Sequence, residues 1–567
     1  MTLNLLDKIG NWNPQLFREI KGRLKMGNMA IASAFSLGPQ LLLFVYYCTQ
    51  LPVALRNVDG AEPIYNRFCV LKATTDTKPG EKCLADTLGN ILIDWPKWWV
   101  EIFIWLSIFS VLALLVAGTY MLVGDLDKEE RRGTLNFIRL SPQSANTIFL
   151  GKIFGVPILL YLAAILVIPL HLYSGLAAHI PLHEILGFYM AVAASCALFY
   201  STAMLFGLTT SWLGGFQPWL AGGIALFVFV ISTIQLTVSA VDLGTFVSSI
   251  GILRYLISGT ISRYDFGSLG ADIDKLQWFY LPIGKNIVSG LILSLSICGI
   301  GTYWMWQGWQ RRFPNPTTTV LSKRQSYFAV ICCQPIILGF ALQSEPLAYG
   351  KTFPLLTLNL VLFLIVIASL TSERQSLYDW ARYRQQIVPT GHKLWRRYPL
   401  LDLVWSEKSP AIIAIAINLL SSSFILLSGL ILLIPQIELE KSDTSILLSV
   451  IFGINLILIY ATITQLFLFL KTRNQEIWAA GTIGGAILLP PVILSMLLLP
   501  VQKAPFFWLS STFPIFWSFV HYIGSGTETA IVFAILSQWT VLVLLNFKLR
   551  SQLKLAGESA SKALLKA

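Results

Sequence analysis

Long apolar runs separated by short polar and basic segments set the pattern of this chain. Histidine aside, no acidic or basic residue occurs between Lys152 and Glu184 or between Glu184 and Asp242. Further such windows run from Lys285 to Arg311, Lys408 to Glu438, Asp443 to Lys471 and Glu476 to Lys503. A helix needs about 20 apolar residues to cross a hydrocarbon core of about 30 Å. The pattern predicts about twelve spans, near 29–49, 98–123, 153–176, 185–212, 219–239, 286–309, 327–343, 353–371, 411–434, 446–470, 482–499 and 529–546. The seventh is short and carries Gln334 and Pro335. The expected fold is an all-α, polytopic integral membrane protein.

Basic residues at alternate span ends give the orientation. They lie before the first span (Arg18, Lys21, Arg23, Lys25), after the second (Lys128, Arg131, Arg132, Arg139) and after the sixth (Arg311, Arg312, Lys323, Arg324). They recur after the eighth (Arg374, Arg382, Arg384, Lys393, Arg396, Arg397) and after the twelfth (Lys548, Arg550, Lys554). With twelve spans all five groups fall on one side, the cytoplasmic one, and both termini are inside.

Composition agrees. Of 567 residues, 55% are hydrophobic and 12% charged, with mean hydropathy +0.67. Soluble domains carry about 25% charged residues, so a soluble enzyme, a disordered chain and a disulfide scaffold are excluded. The net charge of +12 follows from the inner flanks, so no nucleic-acid partner is expected. Cys69 and Cys83 fall in the polar outer loop 51–97, where an oxidising exterior permits a disulfide. Cys48, Cys196, Cys298, Cys332 and Cys333 fall in spans and read as small apolar residues.

Candidate chemistry is sparse. Glu101, beside Trp98 and Trp99, reads as interfacial, and the amides Gln235, Asn359, Asn418, Asn455 and Gln465 read as interhelical hydrogen-bonding groups. So little intramembrane charge disfavours a proton-coupled carrier. His171, His179 and His183 cluster near the outer end of span three without an H-E-x-x-H pattern and read as polar interfacial residues, so no metal site is expected. The nearest approach to a phosphate-binding loop is Gly350-Lys351-Thr352, but Glu345 stands where that loop needs Gly. Nucleotide energy would have to come from a partner.

Two inner segments are the most informative. Asn13 to Lys25, NPQLFREIKGRLK, places Leu16, Phe17, Ile20 and Leu24 at helical spacing among basic residues, which predicts an interfacial amphipathic helix. Asp125 to Lys152 combines an acidic start, Gly133-Thr134, an apolar face of Leu135, Ile138 and Leu140, and a Ser141-Pro142 break.

KEERRGTLNFIRLSPQSANTIFLGK resembles the coupling segment of ATP-binding-cassette type-2 exporter permeases, and Asn-Pro-x-Leu-x-x-Glu-Ile resembles their elbow helix. The resemblance covers residues 13–310. It implies an elbow on 1–28 (Pro14, Leu16, Phe17, Glu19, Ile20), a six-span permease domain on 29–310 and re-entrant helices within 240–283. It further implies that Glu129, Glu130, Gly133, Thr134, Leu135, Leu140 and Ser141 meet a nucleotide-binding subunit. That subunit would hold ATP and Mg and hydrolyse the ATP; this chain would carry no catalytic residue and no cofactor, in a bacterial cytoplasmic membrane. After a linker, 311–326, residues 327–567 form a second six-span region. PLLDLVWSEKSP (399–410) looks like another elbow, and KTRNQEIWAAGT (471–482) holds the position of a coupling loop. Either this region is a diverged second permease half and the chain a single-chain pseudo-dimer, or 327–567 is an accessory bundle and two chains pair through their first halves. The rival functions are a secondary carrier or channel, and a membrane-embedded transferase.

Overall fold

The computed structural model describes the chain except residues 1–7, 9, 53–65, 73–81, 85, 87–90, 235–241, 262–272, 343–348, 388–398, 434–438, 471–474, 513, 515–527 and 559–567. Gln235, Glu345, Lys393, Arg396 and Arg397 thus lie outside the described residues. Two units are present: Met1–Leu236, Gly244–Asp274 and Ile283–Thr302 form one, and Thr237–Leu243, Lys275–Pro282 and Tyr303–Ala567 the other.

The first unit begins with α1 (Pro14–Arg23). Its start is set by Asn13, whose side-chain oxygen accepts from the Leu16 N–H at 3.0 Å, and by Pro14 in the first turn. α2 (Met26–Thr49) follows. In the outer loop, β1 (Leu71–Lys72) pairs antiparallel with β2 (Lys82–Cys83), with Leu71 opposite Cys83 and Lys72 opposite Lys82. Cys69 and Cys83 are joined by a disulfide, their Cα atoms 5.5 Å apart.

α3 (Trp95–Leu112) passes through a π-helical turn (Ala113–Ala117) into α4 (Gly118–Arg131). The Tyr200 hydroxyl donates to the Leu114 carbonyl at 2.8 Å inside that turn, and the tyrosine ring takes the space a side chain at Gly118 would need. This helix runs on past the predicted end at 123, so the acidic residues of the inner segment are helical. Next come α5 (Thr134–Arg139), α6 (Ala145–Gly155) and α7 (Ile158–Ala177). The predicted span 153–176 is therefore shorter at its start, because Pro157 separates α6 from α7. α8 (Leu182–Thr209), α9 (Gln217–Thr233), α10 (Leu243–Val247), α11 (Ile250–Ile261) and α12 (Ile287–Arg312) complete the series; α12 ends in the second unit.

The second unit contains α13 (Lys323–Ala341), opened by a capping box between Ser322 and Gln325, then α14 (Tyr349–Leu370), α15 (Arg374–Ile387) and α16 (Pro399–Trp405). α17 (Ile412–Leu433), α18 (Leu439–Phe467), α19 (Gln475–Met496), α20 (Pro505–Ser510) and α21 (Glu528–Gly557) follow. Its core joins Val330, Phe363, Ile367, Ile415, Leu456 and Tyr460 from four of these helices.

Among the described residues ten helices are long and apolar enough to span a membrane, or eleven if the bent pair Pro354–Leu370 and Arg374–Arg384 is one span. This is a multi-pass α-helical membrane protein. Each of the twelve predicted segments carries a helix, but α13 is not among the ten. Its apolar run is diluted by Lys323, Arg324, Gln325 and Gln334, and Gln334 is fully buried, accepting from Ser422 at 3.0 Å. Three of the predicted amides join helices: Asn418 donates to Ser326 (2.9 Å), Asn455 donates to Gln538 (3.1 Å) and Asn359 accepts from Ser422 (3.4 Å), whereas, among the described residues, the side chain of buried Gln465 makes no hydrogen bond.

Two outcomes check this description. Alkylation of the unfolded, unreduced chain labels five of the seven cysteines and spares Cys69 and Cys83. Gly155→Leu, whose Cβ would lie 2.5 Å from the Glu19 Cβ, detaches α1 at a cost of about 1–3 kcal/mol. Trypsin then cuts faster at Lys21 and Arg23, whereas Gly27→Ala, in open space, leaves the rate unchanged.

Candidate functional site

The inner segment is built around one lysine. Lys152, on α6, is wholly buried, and its Nζ lies 2.6 Å from Asp125 Oδ2 and 2.7 Å from Glu129 Oε2. Asp125 and Glu129 are four residues apart on α4 and so share a face. α1 adds Arg23 to Asp125 (2.5 Å), Arg18 to Glu129 (2.6 Å) and both arginines to Glu19 (3.1 Å each). Three carboxylates whose oxygens lie within 4.8 Å of one another thus face three cations. Such a trio can ligate a metal, but here Lys152 already bridges two of its members.

α1 also approaches α6 closely. Gly151 lies against Gln15 and Asn13, Gly155 against Glu19, and Asn13 Nδ2 donates to the Thr147 carbonyl at 2.9 Å. The buried face of α1 is Gln15, Leu16 and Glu19; Phe17 and Ile20 are half-buried and Pro14 is exposed. Of the expected apolar stripe, Leu16 is buried and Leu24, like Phe17 and Ile20, is half-buried. The two glycines admit the polar side of the helix, and the arginines and Lys152 neutralise Glu19 and its neighbours.

Between α4 and α6 the chain makes a short exposed tip. Gly133 turns the backbone with φ 71°, a left-handed conformation suited to glycine, and its N–H donates to the Glu130 carbonyl at 2.9 Å. Thr134 Oγ1 donates to the Glu129 carbonyl (3.1 Å), and Ser141 Oγ closes the far end on the Ile138 carbonyl (2.7 Å). Leu135 and Ile138 are buried within the chain, whereas Phe137 and Leu140 are 79% and 86% exposed.

Two of the residues expected to meet a partner are thus placed differently. Glu129 is committed to Lys152 and Arg18, and Leu135 packs inward. Leu140, Glu130, Gly133 and Thr134 are exposed and Ser141 half-buried. Phe137, which sequence reasoning passed over, takes the outward place expected of Leu135. Its i, i+3 relation to Leu140 was the available signal.

Other predicted positions also move. Glu101, expected at the outer boundary, is buried within the chain and ion-paired with Arg67 of the outer loop. His171 is buried too, its ring nitrogens 2.7 Å from Ser107 Oγ and 2.9 Å from the Tyr189 hydroxyl, which joins α3, α7 and α8. Within the 240–283 stretch, wholly buried Arg254 donates to the carbonyls of Ser232 (3.2 Å) and Ile234, capping the negative end of α9. A lone arginine inside GILRYLISG was its sequence signal.

In the second unit, α16 falls on the elbow-like segment 399–410. Lys323 Nζ reaches the Leu403 carbonyl (2.7 Å), Ser409 Oγ (2.6 Å) and the Pro410 carbonyl (3.2 Å), and Trp380 donates to Asp402 (2.8 Å). Burial pushes the Lys323 ammonium down to about 8, against Asp402 and Glu407, which raise it.

The fold and these inner segments define a multi-pass α-helical membrane protein with a braced, outward-facing apolar tip. No protein-family model matches the chain, and comparison with curated proteins and with solved structures returns no match.

Breaking a buried ion pair from one side costs about 3–5 kcal/mol. Lys152→Met therefore lowers the melting temperature of the detergent-purified chain sharply, and adding Asp125→Asn and Glu129→Gln recovers most of the loss. Equal melting of Lys152→Met and the parent would contradict the burial of that ammonium.

Proposed function

We propose that this chain is the transmembrane subunit of an ATP-driven exporter of the ATP-binding-cassette type-2 kind, in a bacterial cytoplasmic membrane. It supplies the membrane pathway and performs no covalent chemistry. A separate subunit binds ATP and Mg and is seated on the tip at Gly133–Ser141.

The observation that carries this reading is the tip itself. Two large apolar side chains, Phe137 and Leu140, project from a short helix whose two supports, α4 and α6, are clamped to α1 by the Lys152 cluster. A solvated loop gains nothing from such exposure. An apolar knob on a stiff base suits a groove in a partner that moves on ATP closure. The KEERRGTLNFIRLSPQ resemblance supports the same assignment. The second unit is read as a diverged permease half, with α16 as its elbow and a single-chain pseudo-dimer as the assembly.

The test uses the full chain, co-expressed with a candidate nucleotide-binding subunit and reconstituted in lipid. Phe137→Asp with Leu140→Asp abolishes co-elution of the ATPase and lowers its membrane-stimulated turnover by about tenfold or more. The melting temperature of the chain stays unchanged, because both side chains are already in solvent. Undiminished ATPase stimulation in this variant sinks the docking assignment. Transport that continues without any ATPase favours a secondary carrier. A complex with one permease chain to two ATPase domains supports the pseudo-dimer; two to two supports a homodimer.

A further inference from the structure

The stretch that leads into the tip, Asp125–Arg132 (DLDKEERR), holds four carboxylates and three basic side chains. Read along the chain it is acidic. The fold sorts the two signs. Asp125 and Glu129 are both held by Lys152, with Arg23 on the first and Arg18 on the second. Asp127 is buried and ion-paired with Arg131. Three of the four carboxylates are thus committed to cations of this chain.

The basic side chains are placed differently. Lys128, Arg131 and Arg132 are exposed, and their i, i+3, i+4 spacing puts them on one face of the last turn of α4. Among the described residues neither Lys128 nor Arg132 forms an ion pair. Glu130 is exposed too, but it stands two residues from both Lys128 and Arg132. At about 100° per residue that places it across the helix from them. The Thr134 hydroxyl, bonded to the Glu129 carbonyl, holds the start of α5 against this same turn. The basic face therefore adjoins the outward pair Phe137 and Leu140. Basic residues at inner span ends orient a helix, but orientation does not require that the neighbouring carboxylates be withdrawn. Withdrawing them leaves a positive field beside an apolar knob.

We infer that the subunit seated on this tip receives it in a groove with an apolar floor and a rim of carboxylates on the side of Lys128 and Arg132. The inference rests on the docking reading above and adds to it the charge of the partner. Carboxylates opposite the basic face speed encounter and fix which way α5 lies in the groove. A basic rim would meet like charge and be rejected. The acidic look of the KEERR motif is misleading on this point, because the side chains that give it that look are mostly turned to the protein's own cations.

The test measures the affinity of a candidate nucleotide-binding subunit for the full chain in nanodiscs of phosphatidylcholine, at about 50 mM and about 500 mM salt. Parental affinity falls about tenfold or more between the two conditions. At the lower salt, Lys128→Glu with Arg132→Glu weakens binding by about tenfold or more, chiefly through a slower association rate, and the deficit shrinks at the higher salt. Lys128→Gln with Arg132→Gln gives a smaller loss in the same direction. Both side chains are exposed, so the melting temperature of either variant matches the parent. Suppose Phe137→Asp with Leu140→Asp abolishes binding while neither salt nor charge reversal changes it: the docking reading then stands and the acidic rim is overturned. No binding by the parental chain overturns both. Tighter binding after charge reversal overturns the rim alone. So does a reversal that lowers only the retention of phosphatidylglycerol, read by native mass spectrometry, since the basic face then belongs to the membrane.

Discussion

A fully buried ammonium constrains the first unit more than any apolar contact does. Taking a charge out of water costs several kcal/mol even after relaxation, and Lys152 has no exposed surface at all. Two carboxylates at hydrogen-bonding distance make that burial tolerable. Those carboxylates then need partners of their own, because one ammonium cannot balance Asp125, Glu129 and the adjoining Glu19. Arg18 and Arg23 supply them, and both come from α1. The position of α1, the helical extension of α4 to Arg131 and the close packing at Gly151 and Gly155 all follow from placing one lysine in that interior.

This arrangement has a mechanical consequence. The tip at Thr134–Arg139 stands between α4 and α6, and the ion cluster joins those two helices to each other and to α1. A displacement of the tip cannot pass into α4 alone without separating charges that have no other neutralisation. Force applied at Phe137 and Leu140 is therefore shared among three elements, one of which leads directly into α2.

Much of the architecture was legible in the residues. The apolar windows found every helix assigned as a span, and Asn13 with Pro14 marked the start of α1. What periodicity could not supply was which side of a short helix faces its own chain. Leu135 and Ile138 form one i, i+3 pair and Phe137 and Leu140 another, and both are apolar. Only the packing of α5 chooses between them. Ion pairs were hidden for a different reason. Arg18 and Glu129 are separated by 111 positions and Arg67 and Glu101 by 34, and no local pattern encodes such a meeting. Lys152 looked like the last letter of a motif, yet it is the centre of the cluster.

The two units satisfy their buried lysines differently. In the first, carboxylates and cations close on one another, and the charge is spent on holding helices together. In the second, buried Lys323 is satisfied by two carbonyls and a hydroxyl at and just beyond α16. Asp402 meanwhile accepts from Trp380. A buried ammonium can thus be met by carboxylates, as Lys152 is, or by neutral oxygens, as Lys323 is, and only the first choice draws further cations into the interior.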